Sequence, residues 1–248
     1  MTGEGEPRPQ QLVLPVAGVR PPAQGREDYL VSDSNRAAIT ALDAAWPENR
    51  LALIGPPGCG KTHLARVWAA ERGAVLRRAA ALEPGEVAAL AGGPVAVEDV
   101  DRLHAPETGA APAQAADRAV DPAAAERALL HLYNLAAANR QPLLLTGRRA
   151  PTQWRIALPD LASRLATLAL AEISPPDDAL LSSLVIKLCA DRQLRVGPKV
   201  VTRLMRGIER SHAGVAQMVA ALDEVSLTEG RTITPQLATE ILNRMKPD

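Results

Sequence analysis

Apolar residues follow two patterns along this chain. Short uninterrupted runs, Leu51-Ala52-Leu53-Ile54, Pro94-Val95-Ala96-Val97 and Leu143-Leu144-Leu145, alternate with stretches whose apolar positions recur at helical spacing. A helix is predicted over roughly 35–46, capped by Ser34, with Ala38, Leu42 and Trp46 on one face. Another carries Leu64, Val67 and Trp68 and stops at Gly73. Asp121-Pro122 reads as an N-cap followed by proline at the first helical position, opening a helix with Leu129, Leu132, Tyr133 and Ala136 as its stripe. Apolar runs alternating with helices predict an α/β domain, a parallel sheet with helices on both faces. From about residue 174 only helical stripes remain: Leu181/Leu184/Leu188, Val201/Leu204/Ile208, Val215/Met218/Leu222 and Leu237/Ile241/Met245, the last begun by Thr234-Pro235. The expected organisation is a proline-rich extended tail over 1–25, an α/β domain over 26–173 and a small all-helical lid over 174–248. Residues 104–121, rich in Ala and Pro, are expected to form a long loop.

Composition narrows the function. Apolar residues make up 47% of the 248, but aromatics only 2% with no Phe, so the core is built from Ala, Leu and Val. Lys+Arg and Asp+Glu are both 28, without the basic balance usual for a nucleic-acid binder, so DNA is expected to be met only indirectly. Two cysteines, Cys59 and Cys189, make neither a metal site nor a disulfide framework. His63, His104, His131 and His212 show no ligand spacing, and Arg77-Arg78 and Arg148-Arg149 read as solvated basic pairs. No signal peptide opens the chain and no apolar stretch is long enough to span a bilayer, which predicts a soluble, cytoplasmic protein without membrane contact.

The strongest chemical signal is Gly55-Pro56-Pro57-Gly58-Cys59-Gly60-Lys61-Thr62, a GxxxxGK[ST] pattern placed after a predicted strand and before a predicted helix. Glycines let backbone N–H groups curl around phosphates, and the helix N-terminus adds its positive end. Lys61 is expected to neutralise the β- and γ-phosphates and the Thr62 hydroxyl to ligate Mg²⁺, with ATP or ADP as the nucleotide. His63 extends this set by position and otherwise reads as a helix-surface residue. Glu98-Asp99, at the end of an apolar run, can hold Mg²⁺ and orient an attacking water; the alternative is a strand-end turn with solvated acids. Thr146 ends the next run, either as a polar tip near the γ-phosphate or as an ordinary strand terminator. Arg164, taken by spacing alone, is a surface arginine at a helix end.

In this order the elements resemble the AAA+ module of the replication initiator DnaA, and more closely the short Hda-type regulators related to it. The resemblance covers about residues 11–245 and rests on Gln11-Leu12-Val13-Leu14-Pro15-Val16, Tyr29-Leu30-Val31 with Asn35, the phosphate loop, Glu98-Asp99, Thr146 and Leu158 to Leu165. It implies that Tyr29, Leu30, Val31 and Asn35 border the adenine, and that Arg164 is an arginine finger reaching a partner's ATP. It also implies that Gln11, Leu12, Leu14 and Pro15 bind the DNA polymerase III sliding clamp. An extended segment of that kind sets its leucines and proline in an apolar groove while the glutamine amide bonds at the edge. Alone it is expected to bind on the order of micromolar, with avidity from a ring of identical grooves. The implied function is negative regulation of replication initiation by promoting hydrolysis of DnaA-bound ATP, without a DNA-binding domain following the lid. A homodimer is compatible with the resemblance. Three positions depart from the family: Glu98 stands where Asp is usual, Arg148 where an acid is usual, and Ala216 at the lid's sensor arginine. These departures make the chain's own ATPase doubtful. Two other readings stay open: a self-sufficient AAA+ ATPase such as a helicase-loader-like motor, and an adaptor that blocks the clamp or DnaA without activating hydrolysis.

Overall fold

The computed structural model describes residues 30–104 and 120–245. Gln11, Leu12, Leu14, Pro15 and Tyr29, and most of the loop expected over 104–121, lie outside them. Five strands, β1 (Arg50–Ile54), β2 (Val75–Arg78), β3 (Val95–Glu98), β4 (Leu143–Gly147) and β5 (Ala169–Glu172), form one sheet in the order β2-β3-β4-β1-β5. Every neighbouring pair is parallel. The inner strands are buried along their whole length, which explains why they appear as unbroken apolar runs rather than alternating ones.

Successive strand residues feed opposite faces of the sheet. Ala52, Ile54, Val95, Val97, Leu143 and Leu145 join the core under α3 (Val87–Leu90), α4 (Pro122–Ala138) and α5 (Pro159–Leu165). Leu51, Leu53, Ala96, Leu144 and Ala171 join the core under α1 (Arg36–Asp43) and α2 (Lys61–Arg72). Each leucine buried completely contributes roughly 1.5–3 kcal/mol, so a core poor in aromatics still suffices. The chain then continues into α6 (Asp178–Asp191), α7 (Pro198–Met205), α8 (His212–Glu229) and α9 (Pro235–Met245), which share a separate core around Leu181, Leu204, Val215, Met218, Leu222 and Ile241.

Local signals account for several boundaries. The Asp121 carboxylate accepts the Ala124 N–H, with Pro122 at the first helical position, as expected. Gly73 closes α2 in the left-handed region. Other expectations are corrected. α1 begins at Arg36, its N-cap is Asn35 rather than Ser34, and it ends at Asp43. Trp46 falls beyond it because the chain turns extended at Ala44 ahead of Pro47; the indole instead stacks on Trp68 at 5.3 Å and donates to the Ala41 carbonyl. Arg77-Arg78 is not a loose solvated pair but the end of edge strand β2, where Arg77 bonds the Glu86 carboxylate at 3.0 Å. In the lid, Met245 lies exposed rather than on the apolar stripe. Among the described residues no helix is long and apolar enough to cross a membrane.

Candidate functional site

The strand order brings three sequence-distant tips together. β4 lies between β1 and β3, Leu53 pairs with Thr146, and Val97 pairs with Leu145, so Glu98 and Thr146 end level beside the loop that leaves β1. Ligands of open parallel sheets sit at such carboxyl ends.

The Gly55–Thr62 loop bends sharply back on itself to enter α2. Gly55 has φ +154, and a Cβ there would lie 2.4 Å from the Ile173 carbonyl oxygen. Gly58 has φ +72, and its Cβ would meet the Ser211 Cβ at 2.4 Å. Only glycine fits either place. Lys61 is almost wholly buried, and its Nζ donates to the carbonyls of Gly55 at 2.7 Å and Pro56 at 2.9 Å. The loop thus holds its own cation on two of its carbonyls. Cys59, 3.8 Å from that ammonium, is buried, and burial pushes its thiol up, which keeps it protonated and unreactive. Pro57 and Thr62 are exposed and His63 is half-buried on the first turn of α2.

Glu98 is the buried acid of the site. Burial pushes its carboxyl above the ordinary range, opposed by hydrogen bonding from the Thr62 hydroxyl, and its Oε1 atom has no partner. A buried orphan oxygen beside a hydroxyl is an incomplete hard-oxygen donor set. Mg²⁺, which takes one or two protein oxygens and completes its shell with phosphates and water, fits it. No group of three or more His, Cys, Asp or Glu that could hold a metal exists among the described residues, so an ion at Glu98 would need further oxygens from outside the protein. Asp99 is in the left-handed region at φ +57, donates its N–H to Thr146 Oγ1 at 3.1 Å, and lies 3.8 Å from Arg78. Thr146 therefore fixes the turn that presents Asp99, a positioning contact the residue order alone does not reveal. Arg148, where an acid was expected, donates its backbone N–H to Asp101.

Asn35 is buried and ties down the entry segment: its Oδ1 accepts the Ser32 N–H and its Nδ2 donates to the Leu30 carbonyl. Leu30 and Val31, with Asp177, Ala179 and Leu180 of the lid side, line a cleft of about 230 Å³. A smaller, more apolar pocket of about 150 Å³ between α1 and α2 includes no residue of the phosphate loop.

The lid touches the loop through a residue that sequence reasoning passed over. His212, first in α8, donates its backbone N–H to the Gly58 carbonyl at 3.1 Å, and its ring Nδ1 lies 3.3 Å from the same oxygen. A carbonyl only accepts, so Nδ1 carries the proton. Burial pulls the imidazole below its ordinary value, partly offset by this bond, which favours the neutral ring. Ser211 caps the helix, bonding the Gly214 N–H at 2.9 Å. Ala216 is exposed on α8 and brings no charge. Arg164 stands on the open face of α5, its Nε bonded to Asp160 Oδ1 at 3.0 Å one turn earlier.

No protein-family model matches the chain. Solved structures do. Domain III of the Thermotoga maritima replication initiation protein DnaA superposes with a TM-score of 0.69 at 18% identity, covering 92% of this chain and 99% of that one. AMPPCP-bound DnaA from Aquifex aeolicus gives 0.60 at 17%, covering 82% of this chain and 66% of that one. A RuvB variant from Thermotoga maritima gives 0.64 at 16%, covering 92% and 74%. The likeness establishes the architecture: a parallel sheet flanked by helices and followed by a helical segment, the fold of AAA+ domains.

Proposed function

We propose that this chain is a nucleotide-dependent negative regulator of DNA replication initiation. It binds ATP or ADP with Mg²⁺ through Gly55–Thr62, Glu98 and Asp99, and docks onto ATP-bound DnaA. Arg164 then completes the partner's site. In the partner, a water oxygen bonds to the γ-phosphorus as the β–γ bridging bond breaks and ADP leaves with the electron pair. Arg164 neutralises the charge growing on the transferring oxygens. Gln11, Leu12, Leu14 and Pro15 tether the protein to the sliding clamp, and DNA is met only through that clamp and DnaA.

Within the chain's own site, Lys61 leaves the Gly55 and Pro56 carbonyls for phosphate oxygens, and Leu30 and Val31 border the base. Thr62, Glu98 and Asp99 would hold Mg²⁺, which would supply charge neutralisation to the bound phosphates. The observation that carries the reading is the division of charges: the loop cation is buried and self-bonded, while Arg164 is exposed and held only by Asp160. Ala216 in place of a lid cation supports partner-directed rather than own hydrolysis. ATP turnover by DnaA, measured with loaded clamp and with or without this protein, tests it. Stimulation is expected to vanish in Arg164→Ala, and undiminished stimulation by that variant refutes the finger role.

One observation favours a second reading, a self-sufficient ATPase: Glu98, Asp99 and Thr146 are already assembled at the strand tips of one chain. That reading predicts appreciable turnover by the isolated protein, abolished in Lys61→Ala.

A further inference from the structure

Glu126 lies on α4 with no accessible surface, yet it is a carboxylate. Its Oε2 accepts the Leu158 N–H at 2.8 Å, and its Oε1 accepts the Ala157 N–H at 2.8 Å and meets His104 Nε2 at 2.6 Å. Burial works against its charge, but the backbone bonds from Ala157 and Leu158 and the bond from His104 outweigh it and hold the carboxyl below the ordinary range. A buried charge with this many directed partners fixes the groups around it.

Those groups are the turn that leads into α5. Leu158 is the N-cap of α5 and makes no side-chain cap bond of its own; Glu126, 32 positions earlier, instead accepts the N–H groups of Leu158 and of Ala157 before it, ahead of the helix. α5 has seven residues, too few to be stable alone, so its place depends on what holds it. Leu161 and Leu165 fix its inner face in the core, and Glu126 fixes the two residues that lead into it. Arg164 projects from its last turn. His104 belongs to the short stretch that leaves β3 through Val100–Arg102, so the same carboxylate joins the chain beyond the Glu98-Asp99 tip to the helix bearing Arg164.

We propose that Glu126, braced by His104, is a positioning residue that holds the Ala157–Leu158 turn so that α5 presents Arg164 to the nucleotide of a neighbouring AAA+ subunit. The proposal rests on the finger reading of Arg164. A guanidinium displaced by about an ångström at a transferring phosphoryl group costs on the order of a hundredfold in rate, so local looseness in α5 is enough to silence it.

The test uses the full chain with Glu126→Gln, His104→Ala and Arg164→Ala. Amide hydrogen exchange is followed by mass spectrometry over 155–165 and over strands β1 and β4, alongside ADP affinity and stimulated DnaA turnover. Glu126→Gln is expected to speed exchange over 155–165 by about tenfold or more while both strands stay protected and ADP affinity holds. His104→Ala, which leaves both backbone bonds in place, is expected to give a smaller rise in the same segment. Maximal stimulation should fall about tenfold or more in Glu126→Gln with the half-saturating concentration unchanged, because docking survives and placement does not. Arg164→Ala should lose stimulation without altering exchange. Unchanged exchange over 155–165 in both Glu126→Gln and His104→Ala overturns the proposal, as does loss of protection throughout the sheet in both. A wild-type chain that fails to stimulate DnaA sinks the finger reading alone, since the exchange data still decide whether Glu126 holds α5.

Discussion

Lys61 and Arg164 are both cations near the ends of short structural elements, but the molecule treats them oppositely. Lys61 is buried on carbonyls of its own loop, where any incoming phosphate must compete with two formed hydrogen bonds. Arg164 keeps a large exposed fraction and one solvent-screened ion pair with Asp160, at 42% and 58% side-chain exposure. Under the proposed function the first arrangement would receive a ligand, and the second, which costs little to release, would serve a docked partner. The loop is shaped by glycines at positive φ, whereas the arginine is placed by tertiary contacts of the helix that carries it.

The most direct way to break this contrast is to remove each charge in turn. Lys61→Ala is expected to weaken ADP binding roughly tenfold to a hundredfold, the size of lost charge-assisted bonds, as read by titration calorimetry. Arg164→Ala should leave that affinity within about twofold. Equal losses from both would mean that Arg164 serves the chain's own nucleotide and the contrast is false. A smaller effect is expected from Gly58→Ala, which forces a side chain into the left-handed region against Ser211. The conformational term alone is about 1–2 kcal/mol, a fall in Tm of several degrees by calorimetry. An unchanged Tm would show that Gly58 does not keep its left-handed conformation in solution. The smallest effect concerns pH. The His212 pKa is lowered in the docked lid and returns to about 6.5 when the ring reaches water. Protonation therefore favours the undocked state. In nucleotide-free protein, lid docking is complete above that pH and weakens as pH falls through it toward the lowered value. Amide exchange over 211–218 measures this, and His212→Gln should flatten the dependence.

What could be read from residue order was what is encoded locally. The phosphate loop is eight consecutive residues whose glycines and lysine carry the geometry within themselves, and Asp121-Pro122 is a cap complete in adjacent positions. The inner strands announced themselves because both faces are buried. Edge strands β2 and β5 did not, because Arg77, Arg78, Leu170 and Glu172 interrupt the apolar pattern or face outward, as edges permit. Strand order was equally hidden, and with it the meeting of Asp99 with Thr146 across 47 positions. Glu126 sits in an Ala-rich helix with nothing local to mark it. Its partners lie 22, 31 and 32 positions away, and no periodicity reports a contact of that kind. His212 is the extreme case, meeting Gly58 across 154 positions.

That last contact would let α8 act as a lever if the loop moved. The helix has 18 residues and is thus about 27 Å long, pinned at one end to the carbonyl of Gly58. A pivot of roughly ten degrees there sweeps the opposite end through about 5 Å. Leu227, 78% exposed near that end, would travel with it. Movement too small to notice among the amides of the glycine loop would thus reach the protein's surface as a displaced greasy side chain.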